Sequence, residues 1–571
     1  MLPNVQTVTI YIIIGALIQL FGLYAGKLHK RTGIILEILA IISAAGYVFF
    51  SHSFPDSIIY LAFMSNGYFA ATVLTSGRDK YEEVKNEISR LEPIEIKLSR
   101  NSRRIFADLA ITSTVLAGAI LFLIFGPDES PLKIFILFSL ITVITEMIKR
   151  LAVYKSVKLY YCGNEHILYI HSQADSRKLP LRDVKSVQLE SSVDLLKLHP
   201  LFTLFSSNSD FTTSDKEVIR IAFPGETVYL TVENSLYLKT LIENKQAEPI
   251  EISETVTVLP FYHYKNLKRL AGKLYFAITV KGISAYTGLL LIMYYLDVPE
   301  WLMVTATLVF WIFNLYISDR VLKTAMDAKE TTNPAVAEAA RKIFQKAGIS
   351  NVRVYETESA EYNGMATGMN IGRSMITLTT ETLKLPAAAV EGILAHEAVH
   401  VKKRDVLWGQ LWRLPYMAAV LMVILFIREQ LPNLDEYRLA VFFLIWLLIF
   451  LFPIYQSFCS QWMEVRADHL GASYLEGGAQ QMAESLTALG TEQDKATNKQ
   501  IEYSIAAKKD ADKPISSLKR DGILWRLIEF QIMAHPPLYW RIQILKEIQS
   551  GWGKKVLWRW LKDRGKESII P

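Results

Sequence analysis

The chain is short of cysteine and of charge. Its 571 residues include two cysteines, Cys162 and Cys459, and only 21% of positions are Asp, Glu, Lys or Arg, against about 25% in soluble globular chains. Two cysteines exclude a disulfide-stapled scaffold and any cysteine-rich zinc or iron–sulfur site. With 62 basic against 56 acidic residues the net charge of +6 is mild. No segment reads as strongly basic, so no nucleic-acid partner is expected. What fills the chain instead is apolar: 51% of residues are hydrophobic and the mean hydropathy is +0.21. That balance excludes a disordered or collagen-like chain and fits poorly with a soluble string of domains.

The apolar residues are concentrated in runs at 7–26, 34–50, 58–75, 105–126, 132–148, 274–296, 301–318, 414–427 and 439–455. Most approach the ~17–25 residues needed to cross a bilayer core of about 30 Å. A polytopic α-helical membrane protein of about nine spans is therefore expected. The run 414–427 is short and fits a re-entrant or buried helix as an alternative. Nothing before the first run is basic and no small-residue cleavage site follows it, so it reads as a span and not a signal peptide.

Lys and Arg mark the sides. Lys27, Lys30 and Arg31 follow the first run, and 76–104 carries Arg78, Lys80, Lys85, Arg90, Lys97, Arg100, Arg103 and Arg104. The loops 51–57, 127–131 and 297–300 have none. The alternation predicts the N-terminus outside and the basic loops, together with everything after 456, on the cytoplasmic side. Glu37 and Glu146 lie near inner ends of their runs, where snorkelling is expected.

Two stretches are not membrane-like, which divides the chain into a membrane part (1–150), a β-rich part (155–250), a two-span hairpin (260–320) and a segment at 321–571 interrupted by the hairpin 414–455. Within 155–250, alternating stretches such as VIRIAFPGETVYLTV predict short strands, and ENSLYLKTLIEN a closing helix. This string resembles the bacterial pleckstrin-homology-like domain. Its histidines, His166, His171 and His199, are scattered and read as strand or surface residues. In the last part, Asn333-Pro334 opens a helix, strands follow near 351–357, 364–369 and 374–380, and a long helix runs from Pro386 to about Trp412. Residues 491–521 are polar and read as a mobile loop. The tail WGKKVLWRWLKDRGK reads either as a solvated basic end or as a segment lying on an anionic leaflet.

The chemistry sits in AAAVEGILAHEAVHVKKRD. His396 and His400, four apart on a helix, project from one face and can share one metal ion. Glu397, beside the first, can take a proton from a water that zinc activates. A catalytic zinc needs a third protein ligand. The best candidate is Glu464 in QWMEVRADHLG, with Asp468 one turn later placed to fix a ligand histidine's tautomer. Asp405 can brace the second histidine. His469 faces away from Glu464. The two runs between His400 and Glu464 return the chain to the same side whether they cross or turn back.

HEAVHVKKRD (396–405), EVRAD (464–468), NGMATG (363–368) and HPPLYWRI (535–542) occur together across roughly 320–550. They resemble the membrane metallopeptidases of the HtpX heat-shock protease and CAAX prenyl protease type. The resemblance implies an α+β, zincin-like metalloprotease domain and one zinc ion per chain. It implies His396, His400 and Glu464 as ligands and Glu397 as the base. It also implies that Asn363 and the strand containing Ala366 help hold a substrate backbone, and that His535 and Arg541 lie near the cleft, where they stabilise an oxyanion or bind a carboxylate.

The expected function is a zinc-dependent endopeptidase of the cytoplasmic membrane that cleaves membrane or membrane-associated proteins or peptides on the inner side, with a quality-control role in view. The alternatives are a prenyl-protein or peptide-pheromone processing protease, and a membrane signalling protein with a structural metal site. The partners expected are the bilayer and a protein or peptide substrate. The sequence gives no oligomeric state.

Overall fold

The computed structural model describes residues 5–126, 132–202, 208–244, 251–252, 255–276, 293, 298–350, 352–367, 374–430, 437–504 and 515–569. Six helical stretches among them are long and apolar enough to cross a membrane: Gln6–Lys27, Arg31–Ser51, Asp56–Thr75, Ser102–Phe125, Glu300–Ala325 and Asp405–Ile427. Their outward faces carry exposed Phe50, Ile124, Phe125 and Phe313, which suits lipid and not water. The last stretch has 23 residues, because the helix Asp405–Leu411 leads directly into Arg413–Gln430. The short run 414–427 thus gains the length to span. The runs 132–148 and 439–455 lie in the helices Leu132–Ser156 and Arg438–Ala472, which are not among the six. The run 274–296 falls mostly outside the described residues. Six spans are thus supported among the described residues, and the other three expected runs are not confirmed there. Within the helices, Tyr68 Oη donates to the Glu37 carboxylate at 2.7 Å.

The β-rich part holds two sheets. The first, in order β1-β2-β3-β4, pairs Ile94–Ile96, Lys158–Cys162, Ile167–His171 and Arg177–Pro180 as neighbouring antiparallel strands. Its first strand comes from the basic loop before Ser102, so the sheet reaches back beyond residue 155. The second uses β5 (Ser186–Glu190), β6 (Asn208–Phe211), β7 (Val218–Phe223), β8 (Glu226–Leu230) and β9 (Glu251–Ile252) in order β6-β8-β7-β5-β9. Leu159, Leu168, Ile170, Val187, Ile219, Ile221 and Val228 fill the core between the sheets, the inward positions of period-two strands. The closing helix Ser235–Glu243, capped by Asn234 accepting from Tyr237 N at 2.9 Å, lays Leu238 and Ile242 on this core.

The last part has its own sheet, β10-β11-β13-β12, from Lys329–Glu330, Arg353–Thr357, Gly364–Thr367 (β12) and Met375–Thr379 (β13). β13 is buried along its whole length and central; β12 pairs with it antiparallel and forms the edge. The helix Pro334–Ala347 starts on an Asn333 cap and stops at Gly348 in the left-handed region, φ 66°.

Against this sheet packs the motif helix, Ala387–Lys403, with Ala395, Ala398, Val399 and Leu394 fully buried. The expected continuous helix to Trp412 is broken. Arg404 takes φ 55° and ψ 44°, ending the motif helix and opening Asp405–Leu411. The left-handed residue re-aims the chain so that Asp405 turns back on His400.

Close approach explains two glycines. A Cβ on Gly392 would stand 2.1 Å from Ser485 Oγ, and one on Gly471 would stand 3.1 Å from the Ala395 carbonyl. Through them the helices Gly478–Ser504 and Arg438–Ala472 press onto the motif helix.

The expected loop at 491–521 is helical up to Ser504. Its polar sequence is held because the helix bridges to the β-rich part: Tyr503 is buried, stacks edge-on with Phe223 and donates to Asp183 at 3.1 Å. Nor is the tail a loose basic end. The helix Lys554–Ile569 buries Val556 and Trp560 against Phe530, Trp540 and Val465, and Asp563 accepts from Trp540 Nε1 at 2.9 Å.

Candidate metal centre

The centre forms where the motif helix crosses the helix Arg438–Ala472. His396 and His400 turn the same way from successive turns, and their Nε2 atoms are 3.0 Å apart. Glu464 reaches both: Oε2 is 3.3 Å from His396 Nε2 and Oε1 is 3.3 Å from His400 Nε2. One ligand atom from each of the three residues lies within 4.8 Å of the others, the one such group among the described residues. His469 is buried beside it and contributes no atom to it.

Carboxylates hold the far side of each ring. Asp468 Oδ1 is 2.9 Å from His396 Nδ1, somewhat off the straight hydrogen-bond line, and Asp405 Oδ2 is 2.8 Å from His400 Nδ1. An ionised carboxylate there favours the Nδ1–H tautomer and leaves a lone pair on Nε2. Three acceptors then face one another across a small space, which is unfavourable unless a cation stands between them. Two imidazoles and one carboxylate are also a donor set that zinc favours, and three ligands leave one position open. The residues present fit the ion.

The supports are themselves tied down. Arg541 is buried; its Nε and a terminal nitrogen donate to Asp468 at 2.8 and 2.7 Å, while the latter stands 3.5 Å from Glu464. The expectation that Arg541 meets substrate is therefore revised, because its fork is engaged with Asp468. Arg466 pairs with Asp405 and lies over the Trp462 ring at 4.6 Å. Its role is hidden in the sequence because Asp405 lies on another helix. His535 approaches Glu464 Oε1 at 3.5 Å from the open side, with 64% of its side chain exposed.

The charges follow the acceptor surplus. Burial lowers the basicity of His396 and His400, yet the hydrogen bonds and charge of Asp468, Asp405 and Glu464 outweigh it, so both rings bind a proton more tightly than usual. Glu464 is held well below the usual carboxylate range: burial opposes this, but His535 and His400 outweigh it. Asp468 is likewise lowered, with burial opposed chiefly by Arg541.

Glu397 sits on the sheet side of the motif helix and accepts from Ala366 N at 2.6 Å. That amide belongs to β12, whose free edge faces the motif helix. A side chain at Gly364 would press within 2.8 Å of Ile393 and 3.4 Å of Glu397 Oε1, so glycine is needed for this approach. Asn363, just before the strand, has an exposed side chain and a fixed backbone: its N–H donates to Thr379 and Thr382 hydroxyls at 3.1 and 2.8 Å.

A helix-borne His-Glu-x-x-His completed by a glutamate from a second helix defines the class of site. Residues 330–549 match the family described as Peptidase family M48, and residues 158–246 match the one described as Bacterial PH domain. Among curated proteins, the chain is 35% identical over 102 residues to a "Protease HtpX homolog" of Pelotomaculum thermopropionicum, covering 17% of this chain and 36% of that protein. A second, from Campylobacter concisus, is 30% identical over 189 residues, 31% of this chain and 65% of its own. A third, from Burkholderia thailandensis, is 32% identical over 99 residues, 17% and 35%. The chain thus spans between about a third and two thirds of the length of these relatives. The resemblance to HtpX-type peptidases and the pleckstrin-homology-like resemblance of the β-rich part both stand.

Proposed function

We propose that this protein is a zinc-dependent integral-membrane endopeptidase that cleaves membrane or membrane-associated proteins or peptides on the cytoplasmic side. The observation that carries this reading is the convergence of His396, His400 and Glu464 within 4.8 Å, with Glu397 on the same helix. Zinc bound there would supply Lewis-acid polarisation of a carbonyl and a water of lowered pKa.

The chain's own residues do the rest. Glu397, held at one oxygen by Ala366 N–H, keeps its other oxygen for a proton, which it takes from the attacking water and returns to the leaving amine. The free edge of β12 gives an extended peptide a strand to pair with, and Asn363 marks where that strand begins. His535 stands at the open side, in reach of a developing oxyanion. Asp468, Arg541, Asp405 and Arg466 keep the two imidazoles in one tautomer and orientation. The inner-side assignment rests on the basic loops, and a quality-control role rests on the likeness to the HtpX homologues.

The test is cleavage of casein and of quenched fluorescent peptides by the purified chain in detergent. Cleavage should stop with a zinc chelator and return with added zinc. Cleavage indifferent to chelation, in protein shown to have lost its metal, would contradict the reading.

A further inference from the structure

Among its contacts with the peptidase-like part, the pleckstrin-homology-like part meets a short segment, 358–363, that leads into β12. Lys185, at the start of β5 and fixed by its N–H to Ala222 O at 2.8 Å, extends its ammonium to Glu381 and to Tyr362 Oη, the latter at 3.2 Å. Glu381 and Tyr362 are both buried, and Lys384 is the second partner of Glu381 at 2.8 Å. Four residues before Tyr362, Glu358 meets Lys197 at 2.9 Å and Arg220 at 3.6 Å, again from the β-rich part. Three cations on one side thus face two carboxylates on the other.

Directly after Tyr362 the chain enters the substrate-facing edge. Asn363 is pinned by Thr379 and Thr382, and the strand Gly364–Thr367 begins at the next residue, with its Ala366 N–H holding Glu397. An edge strand is paired on one side only, so its register and height depend on how its ends are held. Here the entering end is held from another domain. The bridging helix Gly478–Ser504 fixes the same arrangement at a distance, through Tyr503 and Lys499 to Asp183 at 3.1 and 3.2 Å.

We propose that Lys185 is a positioning residue for substrate binding, and that the pleckstrin-homology-like part, through Lys185 on Tyr362 and Glu381, holds the β12 edge at the height at which a peptide pairs with it. This rests on the reading of the site as a peptidase, and it assigns the β-rich part a role inside that site.

The test uses the full chain, zinc-loaded, in lipid nanodiscs. Lys185→Met should raise KM for an extended peptide by about fivefold or more, with zinc content unchanged and kcat within about twofold. Lys185→Arg, which keeps the charge and donors, should restore KM. Tyr362→Phe, which removes one hydroxyl only, should move KM the same way by less. Independently of catalysis, hydrogen exchange of the 363–367 amides should quicken in Lys185→Met while that of 376–379 stays the same. If the wild-type chain cleaves nothing, the peptidase reading fails and the exchange result still decides this one. A Lys185→Met chain with unchanged exchange at 363–367, or with kcat reduced and KM unmoved, would overturn the proposal.

Discussion

Two buried charge clusters in this molecule look alike by composition and differ in balance. At the N-terminal end of the Ser102–Phe125 helix, Arg104 and Arg150 meet Asp108 and Asp210. Arg104 pairs with Asp108 and with Asp210 at 2.6 Å, and Arg150 with Asp108 at 3.0 Å. Spare guanidinium donors go to Thr212, whose hydroxyl takes Arg104 at 3.0 Å and whose carbonyl takes Arg150 at 2.6 Å. Donors and acceptors match, so the cluster is complete and clamps membrane helices to the β-rich part. At the metal centre the matching holds only in the outer ring, where Arg541 and Arg466 meet Asp468 and Asp405. Inside it, two imidazole nitrogens and a carboxylate face one another. A matched cluster is a brace; a surplus of acceptors around one point is a cation site.

Removing one member of each cluster puts this contrast at risk. The largest effect is expected for Glu464→Ala: zinc measured by elemental analysis should fall from one per chain to near none, and hydrolysis by at least about a thousandfold, with helical content kept. Next is Arg104→Met, which strands buried carboxylates. It should cost about 3–5 kcal/mol, read as a lower unfolding midpoint, while the folded fraction still carries zinc. Asp468→Asn sits between the two kinds of site. It should weaken zinc binding by about 10–100-fold in competition with a chelator, with little change of fold.

The smallest effect belongs to a third kind of group. One carboxylate oxygen of Glu529 is buried with no hydrogen-bond partner among the described residues, and Glu529 belongs to no three-residue metal group there. Burial, with Asp521 adding its charge, pushes its pKa from the ordinary 4.5 up to about 7. Between those values the folded chain holds a proton that the unfolded chain releases. This group's cost is therefore absent below about pH 4.5 and fully present above about pH 7, so stability falls as pH rises through the window. Glu529→Gln should flatten that slope in thermal unfolding followed from pH 5 to pH 8.

Much of the centre was legible because helical phase links residues close in sequence. His396 with His400, and Glu464 with Asp468, each lie one turn apart on one helix, and the two helices needed only to be brought together. Partnerships between helices were not legible. Arg541 reads as a cleft residue that meets substrate until Asp468, on another helix, closes on it, and nothing near Arg466 in sequence points to Asp405 as its partner. That turn depends on a left-handed Arg404, a conformation for which sequence points to glycine or asparagine. The helix through 491–504 was misread for a related reason. Its polar residues carry no core signal, and its order comes from Tyr503 and Ala496 packing on the β-rich part. The sheet was easier, since β13 is a plain apolar run between turns.

The most direct measurement is made on Glu397→Gln, which keeps the shape of the side chain and removes the base. Zinc content and peptide turnover should be measured on the same preparation. The expected result is one zinc per chain, as in the wild type, with hydrolysis at background. Wild-type turnover by a zinc-loaded Glu397→Gln chain would contradict the role of Glu397 as the base.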